Sequence, residues 1–166
     1  MDTKLLGIYL NDHLGGSTAG VELAKRARKQ NEGGEYGEFL AWLADAIESD
    51  RDTLMRIMDD LEIRKDPVKE AGGWLLEKAG RLKLNGQLKG YSPLSRLVEL
   101  EGLALGVTGK LALWKVLREL TADQPALNRA ELDTLVAGAE EQQRRIEERR
   151  LSAAREAFGL SGAAVP

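Results

Sequence analysis

Apolar residues recur every three or four positions along most of the chain, with polar residues between them. This spacing places the apolar side chains on one face of an α-helix, and no segment shows the alternating, β-branched pattern of a strand. The second periodic segment shows it most clearly, with apolar residues at Leu40, Leu43, Ile47, Leu54 and Ile57. The pattern therefore predicts an all-α protein.

Capping signals divide the chain into five predicted helices. Polar N-cap residues, prolines in a first turn and glycines after a last turn mark their ends. Asn128 followed by Glu131 is the pattern of a capping box. The four long helices are predicted over residues 3–31, 35–61, 93–121 and 129–158, and a short third helix over residues 67–85. Together they form one predicted domain over residues 1–160, followed by a disordered tail over residues 161–166.

The connections between the helices predict how they pack. Tight turns join the first helix to the second and the fourth to the fifth, so each pair must form an antiparallel hairpin. Residues 62–92 are long enough to pass from one end of a bundle to the other. Two long hairpins joined by one crossover form a ferritin-like four-helix bundle, here with an extra short crossover helix. The alternative is an up-and-down bundle in which the third helix is a full member.

Two stretches of the chain are similar to uncharacterised bacterial proteins of the ferritin-like superfamily. They are DHLGGSTAGVELAKRA and LNGQLKGYSPLSRLVELEGLALGVTGKLALW. The chain resembles that superfamily in its plan over about residues 3–158. A metal-active member supplies one Glu from each of two helices and a Glu-x-x-His from each of the other two. This chain has one histidine, His13, and Leu10 stands three residues before it, so the resemblance implies the fold without an intact di-iron ligand motif.

A polar residue interrupts each of three predicted apolar stripes near its middle. The interruptions are His13, Asp50 and Glu101, and the stripe of the fourth predicted helix is Leu94, Val98, Glu101 and Leu105. Inward-pointing ionisable groups are costly unless they are paired or bound, so these three residues form a candidate metal site. An imidazole with carboxylates could hold a single divalent metal such as iron or manganese, with Glu22 or Glu77 as a further ligand. The alternative is a His–Asp hydrogen bond or a Glu–Arg pair that fixes helix register, with Asp50 or Glu101 at a rim.

Glycines cluster inside the predicted helices, where each costs about 1 kcal/mol relative to alanine. The clusters are Gly15, Gly16 and Gly20; Gly72 and Gly73; and Gly102, Gly106 and Gly109. A phosphate-binding loop would need a preceding strand and a Lys-Ser/Thr ending, and neither is found. The preferred interpretation is close approach of helix backbones, with Trp42, Trp74 and Trp114 filling the hollows opposite. Room for a small ligand or for a subunit partner is the alternative.

The composition narrows the classes of function. With 43% apolar and 31% charged residues among 166, the chain can bury one core, and its net charge of −3 disfavours nucleic-acid binding. The absence of cysteine excludes disulfides, thiol catalysis and iron–sulfur clusters. The first residues, MDTKLLGIYLNDH, turn polar too soon for a signal peptide, and no apolar run is long enough to span a membrane. The sequence therefore predicts a cytoplasmic protein.

The last predicted helix becomes mostly charged after Gly138. The segment EEQQRRIEERRLSAAREAF is mostly charged, and its large apolar residues are Ile146, Leu151 and Phe158. So thin a stripe suits packing on the flank of the bundle or against a second subunit. Together with the missing histidines, it predicts a non-catalytic protein without a cofactor that acts by association, as a homodimer or with a protein partner. The alternative is a degenerate metal-binding or redox member of the superfamily.

Overall fold

A computed structural model describes residues 2–66 and 91–160, which form four α-helices and no strand. The helices are α1 (Thr3–Gln30), α2 (Gly34–Asp60), α3 (Pro93–Leu120) and α4 (Arg129–Ala157). They confirm the four predicted long helices to within one residue at each end. The predicted short helix, with the choice between a crossover and a full bundle member, and the predicted tail lie outside the described residues. None of the described helices has an apolar stretch sufficient to cross a bilayer.

Polar side chains cap three of the helices as the sequence predicts. The carboxylate of Asp2 accepts a hydrogen bond from the Leu5 amide at 3.0 Å, and the hydroxyl of Ser92 accepts one from the Ser95 amide at 3.1 Å. Asn128 caps α4 in the same way. Each bond satisfies an amide that the first turn of a helix leaves without a backbone partner. Between α1 and α2 the turn is made by two glycines with positive φ, Gly33 at 82° and Gly34 at 71°.

The helices pack as two antiparallel hairpins, α1 with α2 and α3 with α4, and α1 also packs on α3. After α2, the amide of Asp66 donates to the side chain of Asn11 at 2.7 Å, near the N-terminal end of α1. Just before α3, the hydroxyl of Tyr91 accepts from Asn31 at 2.7 Å, at the C-terminal end of α1. The chain therefore leaves the first hairpin at one end of the bundle and enters the second at the other. The four helices run up, down, down and up.

The core consists of two apolar clusters, one toward each end of the bundle. One contains Leu10, Leu14, Leu54, Met58, Trp114, Leu117 and Leu132. The other contains Val21, Leu40, Leu43, Ile47, Leu100, Leu103 and Ile146. On α2, α3 and α4 the boundary between the clusters falls near residues 50, 110 and 142. Polar side chains occupy that boundary, so the bundle has a polar layer at mid-height.

The predicted apolar stripe of α3 is wrong in its phase. Leu105 is 76% exposed, and Glu101 is exposed as well. The buried residues of α3 instead include Leu97, Leu100, Leu103, Val107, Leu111, Trp114 and Leu117. α3 carries leucines on more than one face, so its sequence alone allows several stripes, and packing against α1 and α4 selects one of them. The stripe predicted for the second helix is confirmed, because its large apolar residues are buried.

Candidate functional site

Three side chains from three helices meet at mid-height. The ammonium of Lys110 on α3 donates to Asp50 Oδ2 on α2 and to Gln142 Oε1 on α4. Gln142 Nε2 in turn donates to the same Asp50 oxygen at 3.0 Å. We call Asp50, Lys110 and Gln142 the polar layer. It joins both hairpins through a closed triangle of hydrogen bonds.

The polar layer is almost fully withdrawn from water. The side chains of Asp50 and Lys110 are each 13% exposed, and Gln142 is buried. Burial lowers the pKa of Lys110 below its usual value, and the neighbouring Asp50 carboxylate partly offsets that effect. A buried ammonium and carboxylate are tolerable when each has its charge and its hydrogen bonds satisfied by the other. The negative charge of Asp50 is therefore balanced by a lysine of the same chain.

His13 lies half-buried on α1, against the edge of a neighbouring ring. Its imidazole meets Tyr9 with centroids 4.6 Å apart and planes inclined at 71°, an edge-to-face contact. Burial lowers the pKa of His13, and the carboxylate of Asp12 acts in the opposite direction. The imidazole is therefore mostly neutral at pH 7.

Glu101 lies at the rim of the bundle rather than inside it. Its side chain is 48% exposed and forms an ion pair with Arg150 of α4 at 3.6 Å. A Glu–Arg pair with Glu101 at a rim is the alternative to a metal site that the sequence allows. An exposed pair at this distance contributes little to stability.

The structure does not bring the three predicted metal ligands together. His13 and Asp50 line one cavity, whereas Glu101 lies outside it. Within residues 2–66 and 91–160, no group of three or more carboxylate, imidazole or thiol side chains is placed to hold a metal ion. Glu22 is exposed, and Glu77 lies outside the described residues. Lys110 already holds Asp50, and the metal site stays a prediction.

Sequence reasoning missed Lys110 and Gln142, although both follow the rule that selected Asp50. Lys110 stands between Val107 and Trp114 on the buried face of α3. Gln142 stands between Ala139 and Ile146 on α4. Each interrupts an apolar stripe at helical spacing, so the same test finds Gln142 on α4, and it finds Lys110 once α3 is given its correct phase.

Glycines line a cavity between α1, α2 and α3, beside the polar layer. Its volume is about 180 Å³, and its wall includes Gly16, Gly20, Gly102, Gly106 and Gly109 together with Trp114. A Cβ added at Gly16, Gly106 or Gly109 would meet no atom within 4 Å. These three glycines therefore leave open space instead of letting two backbones touch. We call this space the glycine-lined cavity.

Close contact requires a glycine at only a few places in the described chain. A Cβ on Gly102 would lie 3.0 Å from Leu23 Cδ2, the end of a flexible side chain. The tightest position is Gly37, where a Cβ would lie 2.4 Å from the backbone oxygen of Asn31. A close approach to backbone is thus found at Gly37, in the first hairpin turn, whereas Gly16, Gly106 and Gly109 have open space beside them. Gly72 and Gly73 lie in the part of the chain that is not described.

The aromatic partners predicted for these glycines also differ in role. Trp114 is buried and lines the glycine-lined cavity, as expected of a residue filling a hollow. Trp42 is half-buried on α2, and its ring is covered by the guanidinium of Arg145 at 3.6 Å from the centroid. Trp74 falls between the two described ranges. Of the two tryptophans in the described residues, Trp114 thus packs beside the glycines and Trp42 does not.

Comparison with known proteins gives no match to a family model, to a curated protein or to a solved structure. The likeness to ferritin-like proteins therefore remains a prediction from the sequence. The chemical properties of the site therefore follow from the positions of its own residues.

The stability of the protein is expected to rise with pH through the titration of His13. Because burial lowers its pKa below the usual 6.5, the folded state binds fewer protons than the unfolded state between the folded pKa and 6.5. The free energy of unfolding should therefore increase with pH across that window and level off above it. Urea unfolding from about pH 5 to 8 measures the slope, and H13Q should reduce it.

The chain offers a direct check on that assignment. His13 is its single histidine, so one imidazole resonance in an NMR titration reports its pKa. A pKa at or above 6.5 would contradict the expectation, as would an unchanged slope in H13Q.

Proposed function

We propose that this chain is a non-catalytic member of the ferritin-like superfamily and that it acts by association. The observation that carries the proposal is the position of the Lys110 ammonium. Helical bundles build their metal sites in the core, from side chains on facing helices. Here the inward carboxylate at mid-bundle, Asp50, is held by Lys110 and Gln142. A fixed cation from the chain takes the place of a metal ion.

The order of the helices supports the family assignment. Their directions are up, down, down and up, and the two hairpins are connected from one end of the bundle to the other. This is the arrangement of ferritin-like bundles, which have one long crossover.

The end of α4 supports association with a second copy. Of the apolar stripe predicted there, Ile146 is buried within the bundle. Leu151 is 43% exposed and Phe158 is 64% exposed, and they stand two helical turns apart on one face. The surrounding acids and bases alternate, so the surface is close to electroneutral and two copies can approach without strong repulsion. A twofold dimer would cover this face in both copies.

Two measurements on chelator-free, untagged protein test the proposal. We expect light scattering to give the mass of a dimer, and elemental analysis to give much less than one iron or manganese per chain. Changing both Leu151 and Phe158 to lysine should yield a monomer with helicity unchanged. The control is L105K, which places a lysine on α3 at a position that is 76% exposed and lies outside this face, and it should leave the dimer intact.

The outcomes separate the two parts of the proposal. A monomeric wild type, or a dimer that survives the α4 substitutions, would rule out association through this face. Stoichiometric metal that is lost in D50A would instead favour the degenerate metal-binding or redox member.

A further inference from the structure

Four side chains meet at the end of the bundle where α1 ends and α3 begins. Arg96 of α3 donates from Nε to Oδ1 of Asn31, the C-cap residue of α1, at 2.7 Å, and from Nη1 to Oε2 of Glu156 on α4 at 2.6 Å. Its guanidinium lies over the ring of Tyr36 on α2, 4.2 Å from the centroid. Tyr36 Oη donates to the other Glu156 oxygen at 2.9 Å. We call these four residues the end cluster, and one arginine in it joins all four helices.

Arg96 is fixed from the side of the first hairpin. Its acceptor Asn31 is 6% exposed, and Asn31 Nδ2 donates to the oxygen of Ala27 at 2.8 Å and to Tyr91 Oη at 2.7 Å. The side chain of Arg96 is 20% exposed, whereas that of Glu156 is 43% exposed. A planar guanidinium that is stacked on a ring and bonded through two of its nitrogens has little freedom left. Arg96 therefore presents a fixed positive charge to the end of α4.

The end of α4 has little apolar surface to hold it in place. Between Ile146 and its last residue, Ala157, the helix buries one side chain, that of Ala153. Apolar stabilisation grows with the area that is buried, and a single methyl group contributes little. The C-terminal turns of α4 therefore depend on contacts made by charged side chains.

Ion pairs attach these turns to α2 and α3. Among the described residues, the pairs that α4 makes with other helices beyond Ile146 are Arg149–Glu35, Arg150–Glu101 and Arg96–Glu156. The side chains of Glu35 and Glu101 are 72% and 48% exposed, so water screens their pairs strongly. Arg96 is the least exposed cation of the three pairs, and it is also stacked on Tyr36. The end cluster is therefore the main attachment of these turns.

We propose that Arg96 fixes the C-terminal turns of α4 and thereby makes association through the α4 face sensitive to ionic strength. The inference rests on the proposed function, because Leu151 and Phe158 of that face stand on the turns that Arg96 holds. Phe158 follows Glu156 by two residues and is the C-cap of the helix. If these turns fray, the two apolar side chains no longer form one rigid face. Binding a second copy must then order them at an entropic cost.

Salt distinguishes this mechanism from association by apolar contact alone. Attraction between charges is screened beyond about 10 Å in 0.1 M salt and beyond about 3 Å in 1 M salt, so the end cluster weakens as salt is added. Removal of apolar surface from water does not depend on that attraction. Salt also weakens any ion pairs between the two copies, but that effect would persist after Arg96 is replaced. A salt dependence that disappears with Arg96 therefore belongs to the end cluster.

Hydrogen exchange tests whether Arg96 holds α4, independently of association. The protein is diluted until light scattering gives a monomer, and amide exchange is followed by mass spectrometry in about 50 mM NaCl. R96M should speed the exchange of residues 150–157 at least about threefold and leave residues 132–142 as in the wild type. E156Q should do the same, and the double variant should go no further, because both changes break one contact. About 500 mM NaCl should have the effect of R96M on the wild type.

The matched control is R118M. Arg118 also belongs to α3, its side chain is 28% exposed, and it pairs with Asp133 near the other end of α4 at 3.4 Å. R118M should leave the exchange of residues 150–157 unchanged. Circular dichroism confirms that each variant is folded.

Sedimentation measures the consequence for association. The dissociation constant of the dimer should rise at least about tenfold in R96M and stay unchanged in R118M. It should rise with NaCl in the wild type and not in R96M.

The outcomes separate this inference from the proposed function. A wild type that is monomeric at every concentration would rule out association, and with it any control of association, while the exchange data would still show whether Arg96 holds α4. Unchanged exchange in R96M and E156Q, or an equal increase in R118M, would overturn the inference. Faster exchange in R96M without a weaker dimer would also overturn it, because the C-terminal turns would then not control association.

Discussion

Replacing Lys110 with methionine is expected to lower the free energy of unfolding by about 3–5 kcal/mol. The substitution leaves the Asp50 carboxylate, whose side chain is 13% exposed, without the ammonium that neutralises it. It also removes the donor to Gln142 Oε1. A buried charge that loses its only counter-charge costs far more than the same pair contributes at a surface. Urea unfolding at pH 7, followed by circular dichroism, measures the change.

Two controls show whether the loss of stability in K110M comes from breaking the buried pair. K115M removes a lysine of the same helix that pairs with Glu140 at 3.1 Å on the surface, and it should cost less than 1 kcal/mol. The triple variant D50L, K110M and Q142L replaces the whole polar layer with apolar side chains and should regain most of the stability, because no polar group is then left unpaired. Equal losses in K110M and K115M would contradict the buried pair.

Replacing Gly37 with alanine is expected to lower the free energy of unfolding by about 2–3 kcal/mol. The new Cβ would lie 2.4 Å from the backbone oxygen of Asn31 and 3.5 Å from the carbonyl carbon of Glu32. Both neighbours are backbone atoms of the first hairpin turn, so the turn itself must move to make room. Thermal and urea unfolding of G37A measure the effect.

The same substitution at Gly106 should have the opposite sign. There the added Cβ meets no atom within 4 Å, so alanine contributes only its better helix propensity, up to about 1 kcal/mol of stabilisation. The pair of variants separates the effect of close contact from the effect of glycine in a helix. Destabilisation of similar size at both positions would show that the cluster glycines are also required for packing.

Asp50 and Glu101 show why the sequence predicts the site only in part. Asp50 was found because the stripe of α2 has one clear apolar face, which the structure buries. Glu101 lies on one of several apolar faces that the sequence of α3 offers, and that face is not the one that is buried. With the face of α3 misassigned, the sequence gives no sign that Lys110 meets Asp50.

The glycines show a related limit. Their cost to a helix could be predicted from the sequence, and a close contact was the expected compensation. Whether a glycine touches another backbone depends on the position of a second segment, which for Gly37 is the end of α1 and for Gly106 is open space. Local propensity contains no information on that distance.

The sequence by itself determined the all-helical class, the ends of the four long helices and the antiparallel hairpins. These follow from contacts within three or four residues and from the lengths of the turns, which are local properties of the chain. Only the tertiary structure decided that Lys110 meets Asp50 across 60 residues, that Gln142 meets Asp50 across 92, and that the glycines enclose a cavity. Those contacts depend on the relative register and rotation of whole helices, and these are set by the packing of all four together.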